Sequence, residues 1–544
     1  MSKFLIVTVS ALALAAMAAP ACAQHHHMPG MQMPAPNKAA PAKKPAAKKA
    51  VAKKPVANKK APKPAAKKPV PARAKVTRPA AAKASPAPAE EPAVDPHAGH
   101  VMPDTAPAAA SAEPQHQHEP GPEIPAAPAT DHSQMDHSRM GQNAGSSAEH
   151  AGHGAISGGL GPYPMTREAS GTAWQPDTSE HMGLMTTSGD WTLMAHGNID
   201  LIYDTQSGPR GDDKLFAAGM LMGVARRPLG NGTLQLKGMV SPDPLMGKRG
   251  YPLLLASGET ADGVEHLIDR QHPHDFFMEL SASVSQNVGP TSSVFLYGGL
   301  PGEPAFGPPA FMHRESIMAS PEAPISHHWL DSTHITFGVL TAGLVHDRLK
   351  VEVSRFNARE PDQHRWNIET GPLDSTAVRV SWNPTDSLSL QGSLGHFEEP
   401  EQLEPGIDQK RLSASAMYAR QITPEWKFAG TLAWGRKSVE HHGEWQRDDA
   451  FAAEASLKHR AWTFFGRGEI TENRELVEDE EEHGEAFSVG KISLGLVRDF
   501  PIAEHFSFGL GGLVSVNFVP DELAELYGSN NPTGAMGFLR LKLH

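Results

Sequence analysis

FSFGLGGLVSVNF, residues Phe506 to Phe518, sets Phe506, Phe508, Leu510, Val514, Val516 and Phe518 on one side of an extended chain. A period of two is that of a β-strand with one apolar and one polar face. The same alternation recurs in WKFAGTLAW, where Trp426, Phe428, Leu432 and Trp434 oppose Lys427, Ala429, Thr431 and Ala433. It recurs again in the closing AMGFLRLKLH, with Leu539, Leu541 and Leu543 opposite Arg540, Lys542 and His544.

A soluble sandwich shows this period too, so connection lengths arbitrate. Short turns fall at Gly289-Pro290, His346 to Arg348, Asn383 to Asp386, Thr423-Pro424, His459-Arg460 and near Pro501. Between them stand long polar segments over 242–274, 302–333, 360–373, 398–409, 438–449, 472–485 and 519–533. Short and long connections in strict alternation predict an all-β chain folded as a transmembrane antiparallel β-barrel, with short periplasmic turns and longer outer loops. Counting from Trp191 gives about sixteen strands. Aromatic residues near strand ends, Trp382, Trp426, Trp462 and Phe500, fit interfacial girdles. The chain ends in His544, where such barrels usually end in an aromatic residue.

The N-terminus names the compartment. Lys3, the apolar run Phe4 to Ala18 and the small-x-small Ala21-Cys22-Ala23 read as a signal peptide over residues 1–23. Ala19-Pro20-Ala21 is a poor match for the residues that precede a lipidated cysteine. Cleavage removes the single Cys, so disulfides and thiolate metal sites are excluded from the mature chain. No other stretch offers the eighteen or more continuous apolar residues of a membrane helix.

Residues 24–160 read as a disordered periplasmic tail, 161–190 as a lead-in and 191–544 as the outer-membrane barrel. From Lys38 to Lys83 the tail is Ala, Pro, Lys and Val, as in AKKPAAKKAVAKKPVANKK, with sixteen Lys and Arg and no acidic residue. Such a run forms an extended spacer. Behind a signal peptide its partners are anionic envelope polymers rather than nucleic acid. It resembles, in composition, the Pro-Lys periplasmic spacers of envelope-spanning proteins.

Around the spacer lie six Met and eleven His between Gln24 and His153, with few large apolar residues to build a core. They are His25, His26, His27, Met28, Met31 and Met33; His97, His100 and Met102; His116 and His118; His132, Met135, His137 and Met140 in the doubled DHSQMDHSRM; and His150 and His153. Thioether sulfur is soft and imidazole borderline, so Met and His without Cys suit copper, Cu(I) above Cu(II), with Ag(I) by the same softness. A disordered tail needs no preformed site, because the metal supplies the free energy that orders its ligands. The competing reading is that His and Met merely accumulate in low-complexity sequence.

In the body, RQHPHDFF carries His272, His274 and Asp275, FMHRE carries Met312, His313 and Glu315, and APISHHWLDSTH carries His327, His328 and His334. These residues fall in the two longest outer loops, and they form either a cation site at the pore mouth or loop-to-wall packing. The layout resembles sixteen-stranded porins, and that resemblance implies that 302–333, the third outer loop, folds into the lumen. The spacer holds 16 of the 49 Lys and Arg, so the remainder carries 33 against 61 Asp and Glu, a net −28 that draws cations. The run Glu478 to Glu482 is its densest patch and reads as solvation. G-x-S-x-G, HExxH and P-loop motifs are absent, and the expected function is not enzymatic.

Signal peptide, Met/His tail with DHSxM repeats from Asp131 to Met140, and outer-membrane barrel together resemble the copper resistance protein B family. That resemblance implies copper tolerance, by binding periplasmic ions and passing them outward, with periplasmic copper proteins as partners beside the outer-membrane lipid. The alternatives are a general or substrate-specific porin whose tail tethers or senses, and a structural envelope protein.

Overall fold

The structure, a computed structural model, describes residues 156–180, 183–330, 336–441, 443–477 and 484–544. The tail residues from His25 to His153, His334 and the acidic run Glu478 to Glu482 lie outside the described residues.

A short strand, β1 (Leu184–Ser188), turns into the barrel at β2 (Trp191–Gln206). The wall continues through β3 (Asp213–Leu229) and β4 (Gly232–Val240), and the hairpin β5 (Tyr251–Thr260) and β6 (His266–Gln271) leaves it. The wall resumes with β7 (Phe277–Asn287), β8 (Ser292–Gly299), β9 (Val339–His346), β10 (Leu349–Phe356), β11 (Ser375–Thr385) and β12 (Leu388–Phe397). It ends with β13 (Gln409–Thr423), β14 (Trp426–His441), β15 (Glu444–His459), β16 (Trp462–Asn473), β17 (Phe487–Ala503), β18 (Phe506–Phe518) and β19 (Thr533–Leu543). Every wall pairing is antiparallel, and β19 closes on β2 from Gly534↔Gln206 to Leu543↔Gly197. Without β1, β5 and β6, the ring has sixteen strands, as the alternation predicted.

The two faces of the wall invert the pattern of a soluble core. On β2 the outward Ile199, Leu201 and Tyr203 are exposed while the inward Asp200 and Asp204 are buried. On β14 Leu432 is 65% exposed and its neighbour Thr431 is 4% exposed. An outer face of Leu, Val and Phe around a polar interior requires a hydrocarbon solvent. All backbone pairing is internal to the closed ring, so the wall tolerates that solvent. In detergent the full chain is therefore expected to migrate faster on gels unheated than boiled, and a single mobility at both temperatures counts against closure.

Two connections depart from expectation. Residues 438–449 are not a loop: β14 and β15 pair to His441↔Glu444, and polar side chains there extend a hairpin beyond the apolar band. The first outer connection, 207–212, is only six residues long. Polar composition marks solvent, and a hairpin that outgrows the membrane is as solvated as a loop.

The lead-in packs as a plug, and residues 156–160, assigned to the disordered tail, pack with it. Leu160, Tyr163 and Trp174 are buried together with Phe295 and Val345. Wall side chains hold its backbone. Lys237 Nζ donates to the Gly171 carbonyl at 2.7 Å, Arg379 Nη2 to Thr172 Oγ1 at 2.9 Å and Asn383 Nδ2 to the Gln175 carbonyl at 2.9 Å. Residues 156–160, ISGGL, read as disorder because their partners lie far along the chain, Ser285 Oγ donating to the Gly159 carbonyl and Ser293 Oγ to that of Leu160.

Candidate metal centre in the lumen

The third outer loop, 300–338, crosses the lumen as the porin-like layout implied. Its charges find wall partners on the far strands. Arg314 lies in a bidentate pair with Glu454 of β15, at 2.9 and 2.6 Å, and Ser316 Oγ donates to the same carboxylate at 2.9 Å. Glu322 meets Lys491 of β17 at 2.6 Å, and Ser326 Oγ donates to Glu469 of β16 at 2.6 Å. The loop then winds into one turn of helix, α1 (His327–Leu330), pinned against the wall. Arg411 Nη1 donates to the His328 carbonyl at 3.2 Å and Ser413 Oγ to the Leu330 carbonyl at 2.6 Å. Gly435 on β14 permits this approach, since a Cβ there would lie 2.1 Å from the Trp329 carbonyl oxygen.

The second outer loop folds inward as the hairpin β5–β6, every residue of β5 being buried. Its continuation brings His272 against α1. His272, His327 and His328 are 2%, 6% and 4% exposed, and one ring nitrogen from each lies within 4.8 Å of the others. His272 Nε2 and His327 Nε2 are 3.5 Å apart. Two nitrogens bound at 2.0–2.1 Å to one tetrahedral ion stand about 3.3 Å apart.

The opposite ring nitrogens face oxygen. His272 Nδ1 is 3.3 Å from Glu259 Oε2, His327 Nδ1 is 2.5 Å from the Pro324 carbonyl and His328 Nδ1 is 3.6 Å from Glu360 Oε1. A carboxylate or carbonyl behind an imidazole fixes its tautomer and orients the other nitrogen toward a metal. Burial drives the pKa of His327 down to about 3, which keeps that ring neutral and its lone pair available. Glu259 adopts φ 57°, an uncommon conformation for a residue with a Cβ, at the point where it reaches both His272 and Arg365.

Two other expected ligands flank the triad with partners of their own, the His274 ring centroid lying 5.8 Å from that of His272 and Asp275 sharing Arg365 with Glu259. His274 Nδ1 is 2.9 Å from Asp243; burial opposes charge on this ring, but the carboxylate outweighs it and the pKa is raised. Asp275 pairs with Arg365 at 3.2 Å, its pKa lifted to about 7 by burial despite that partner. Met312 and His313 belong to a 3-10 turn, Phe311–His313, in another part of the lumen. His313 faces His196 of β2, with ring centroids 6.3 Å apart, and Met312 packs on a methionine cluster. His313 is thus not part of the convergence expected at the mouth, because the crossing loop passes the β2 side before it reaches α1. Sequence reading missed Glu259 and Glu360, which look like ordinary loop carboxylates, and the register that would have paired them with histidines is tertiary.

Neither a known protein family nor any curated protein matches the chain. Among solved structures, it is similar to OmpF of Salmonella typhi in complex with daunomycin (TM-score 0.41, 10% identity, 66% of this chain and 100% of that one). It is similar also to the anion-selective porin of Comamonas acidovorans (TM-score 0.38, 12% identity, 65% and 100%). A third such structure is the outer membrane channel DcaP of Acinetobacter baumannii (TM-score 0.37, 8% identity, 66% and 100%). The closed sixteen-stranded ring with an apolar outer face is by its own topology that of an outer-membrane β-barrel.

Proposed function

We propose that this barrel handles transition-metal ions, copper first, as a member of the metal-tolerance rather than the general-porin class of outer-membrane proteins. The observation that supports this reading is the triad His272–His327–His328, three buried imidazoles from two loops, each backed by an oxygen. Three imidazoles accept zinc, nickel and copper, and the Irving–Williams order puts Cu(II) highest. A lumen crossed by both a loop and a plug also suits a small ion better than the larger solutes of an open porin. The Met/His tail would collect ions in the periplasm, Cu(I), Cu(II) or Ag(I), and the long spacer would give it reach, in keeping with the resemblance to copper resistance protein B. Envelope polymers on the spacer and periplasmic copper proteins as donors belong to the same proposal.

A substrate-specific porin is the second reading, favoured by the inward third loop in a sixteen-stranded wall. Copper counting separates the two. The purified full chain is expected to retain one more Cu(II) than His272→Ala/His327→Ala, the tail's share cancelling between them. Equal copper in the two proteins sinks the triad and leaves the porin reading in place.

A further inference from the structure

Apolar clusters inside the barrel differ in composition. The cluster of Tyr297, Phe306, Val339, Phe356 and Phe397 contains no methionine, and the largest one is built mainly from Leu, Ile, Val, Phe and Tyr. One cluster is different. Six of its eight buried members are Met165, Met194, Met220, Met222, Met239 and Met278. Methionine fills irregular gaps, but gap filling does not explain why six of eight buried members of one cluster are methionine and none is leucine.

The cluster borders a cavity of about 80 Å³. Met194, Met220, Met222 and Met318 line it, and so do the imidazoles of His196 and His313. Strand register places four of these side chains. Met194 pairs with Val224, His196 with Met222 and Asn198 with Met220 across β2 and β3. Directly opposed residues have Cβ atoms about 4.5–5.5 Å apart, so the side chains of His196 and Met222 leave the wall side by side and both line the cavity. His313 arrives from the crossing loop with its ring at 86° to that of His196. Of the three cations on the cavity wall, Arg226 pairs with Glu168 and Lys237 donates to the Gly171 carbonyl, while Lys542 is the third. Three carboxylates, Glu168, Glu180 and Glu315, also line it.

Thioether sulfur with imidazole is a donor set for a soft, monovalent d¹⁰ ion. It differs from the triad, whose donors are all nitrogen. The two places also differ in height. His196 is the sixth residue of β2 from a short turn, whereas Arg411, which holds the His328 carbonyl, is the third residue of β13 from a long loop.

We propose that Met194, Met220 and Met222, with His196 and His313, form a second, thioether-rich site for Cu(I) or Ag(I) in the short-turn half of the lumen. The proposal deepens the metal-handling reading by adding a station of different softness below the triad. An ion entering from the short-turn side would meet sulfur first and nitrogen second.

Silver counting on the full chain in detergent tests it, because Ag(I) needs no reductant. Met194→Leu/Met220→Leu/Met222→Leu keeps bulk and removes sulfur. This variant is expected to retain one Ag(I) fewer per chain than the unaltered protein, with the tail's uptake common to both and the Cu(II) count unchanged. An equal silver count overturns the site. Should the variant lose its heat-modifiable barrel, silver-soaked crystals of the unaltered protein decide: anomalous density among the three sulfurs supports the site, and silver bound only elsewhere overturns it. Density there, with no copper difference at the triad, keeps this proposal and sinks the triad. Copper at the triad without silver among the sulfurs does the reverse.

Discussion

Arg314→Ala is expected to destabilise the folded barrel by about 3–5 kcal/mol, the usual cost of leaving one member of a buried ion pair alone. Arg314 is 1% exposed, its guanidinium holds both oxygens of Glu454, and its Nη1 donates to the Pro309 carbonyl at 2.8 Å. Removing it strands Glu454 in the wall and frees the crossing loop at its midpoint. Two readouts follow. The denaturant midpoint in detergent should fall, and single-channel conductance should rise as the loop leaves the lumen. Arg314→Met/Glu454→Leu should recover most of the stability, because no charge is then left unpaired. A loss below about 1 kcal/mol, the range of exposed pairs, would mean that this clamp does not hold the loop.

The second large effect is expected from a residue that touches no metal. A Cβ at Gly435 would stand 2.1 Å from the carbonyl oxygen and 2.5 Å from the carbonyl carbon of Trp329, both backbone atoms of α1. Gly435→Val must therefore push the helix that carries His327 and His328 away from the wall. Overpacking of this kind costs about 1–3 kcal/mol. Spent on the triad, it weakens copper binding up to about a hundredfold, since each 1.4 kcal/mol is tenfold. Gly392→Val on β12, where nothing stands within 4 Å of a Cβ, serves as the control and should bind as the unaltered protein does. Equal copper affinity in the two variants would show that α1 does not position the triad.

The barrel was legible in the chain because its determinants are local. Side-chain alternation along β18 and β14 is a property of each strand alone, and a closed ring in hydrocarbon needs nothing beyond that alternation and the turns between strands. Hence FSFGLGGLVSVNF and WKFAGTLAW predict the same lipid-facing residues that the structure exposes. Where the reading failed, polarity stood for two structures at once, as in 438–449, whose hydrophilic residues form strand ends.

The centre was only half legible. Histidines in two outer loops announce a donor set, and the third loop's inward fold was implied by the resemblance to sixteen-stranded porins. Which histidines meet is another matter. His272 reaches His327 across 55 residues of sequence through the buried hairpin β5–β6, while His313, nearer to His327 in the chain, is left facing His196. That sorting depends on ion pairs such as Arg314–Glu454 and on one glycine at the wall, contacts between segments more than a hundred residues apart. The methionine layer was illegible for the same reason. Met194, Met220, Met222, Met239 and Met278 sit on four strands, each an unremarkable apolar residue in its own stretch. Sequence determined the wall, because alternation acts over neighbouring residues; tertiary structure alone decided what the wall encloses, because lumenal contacts are set by register across the ring and by loops that fold back through it.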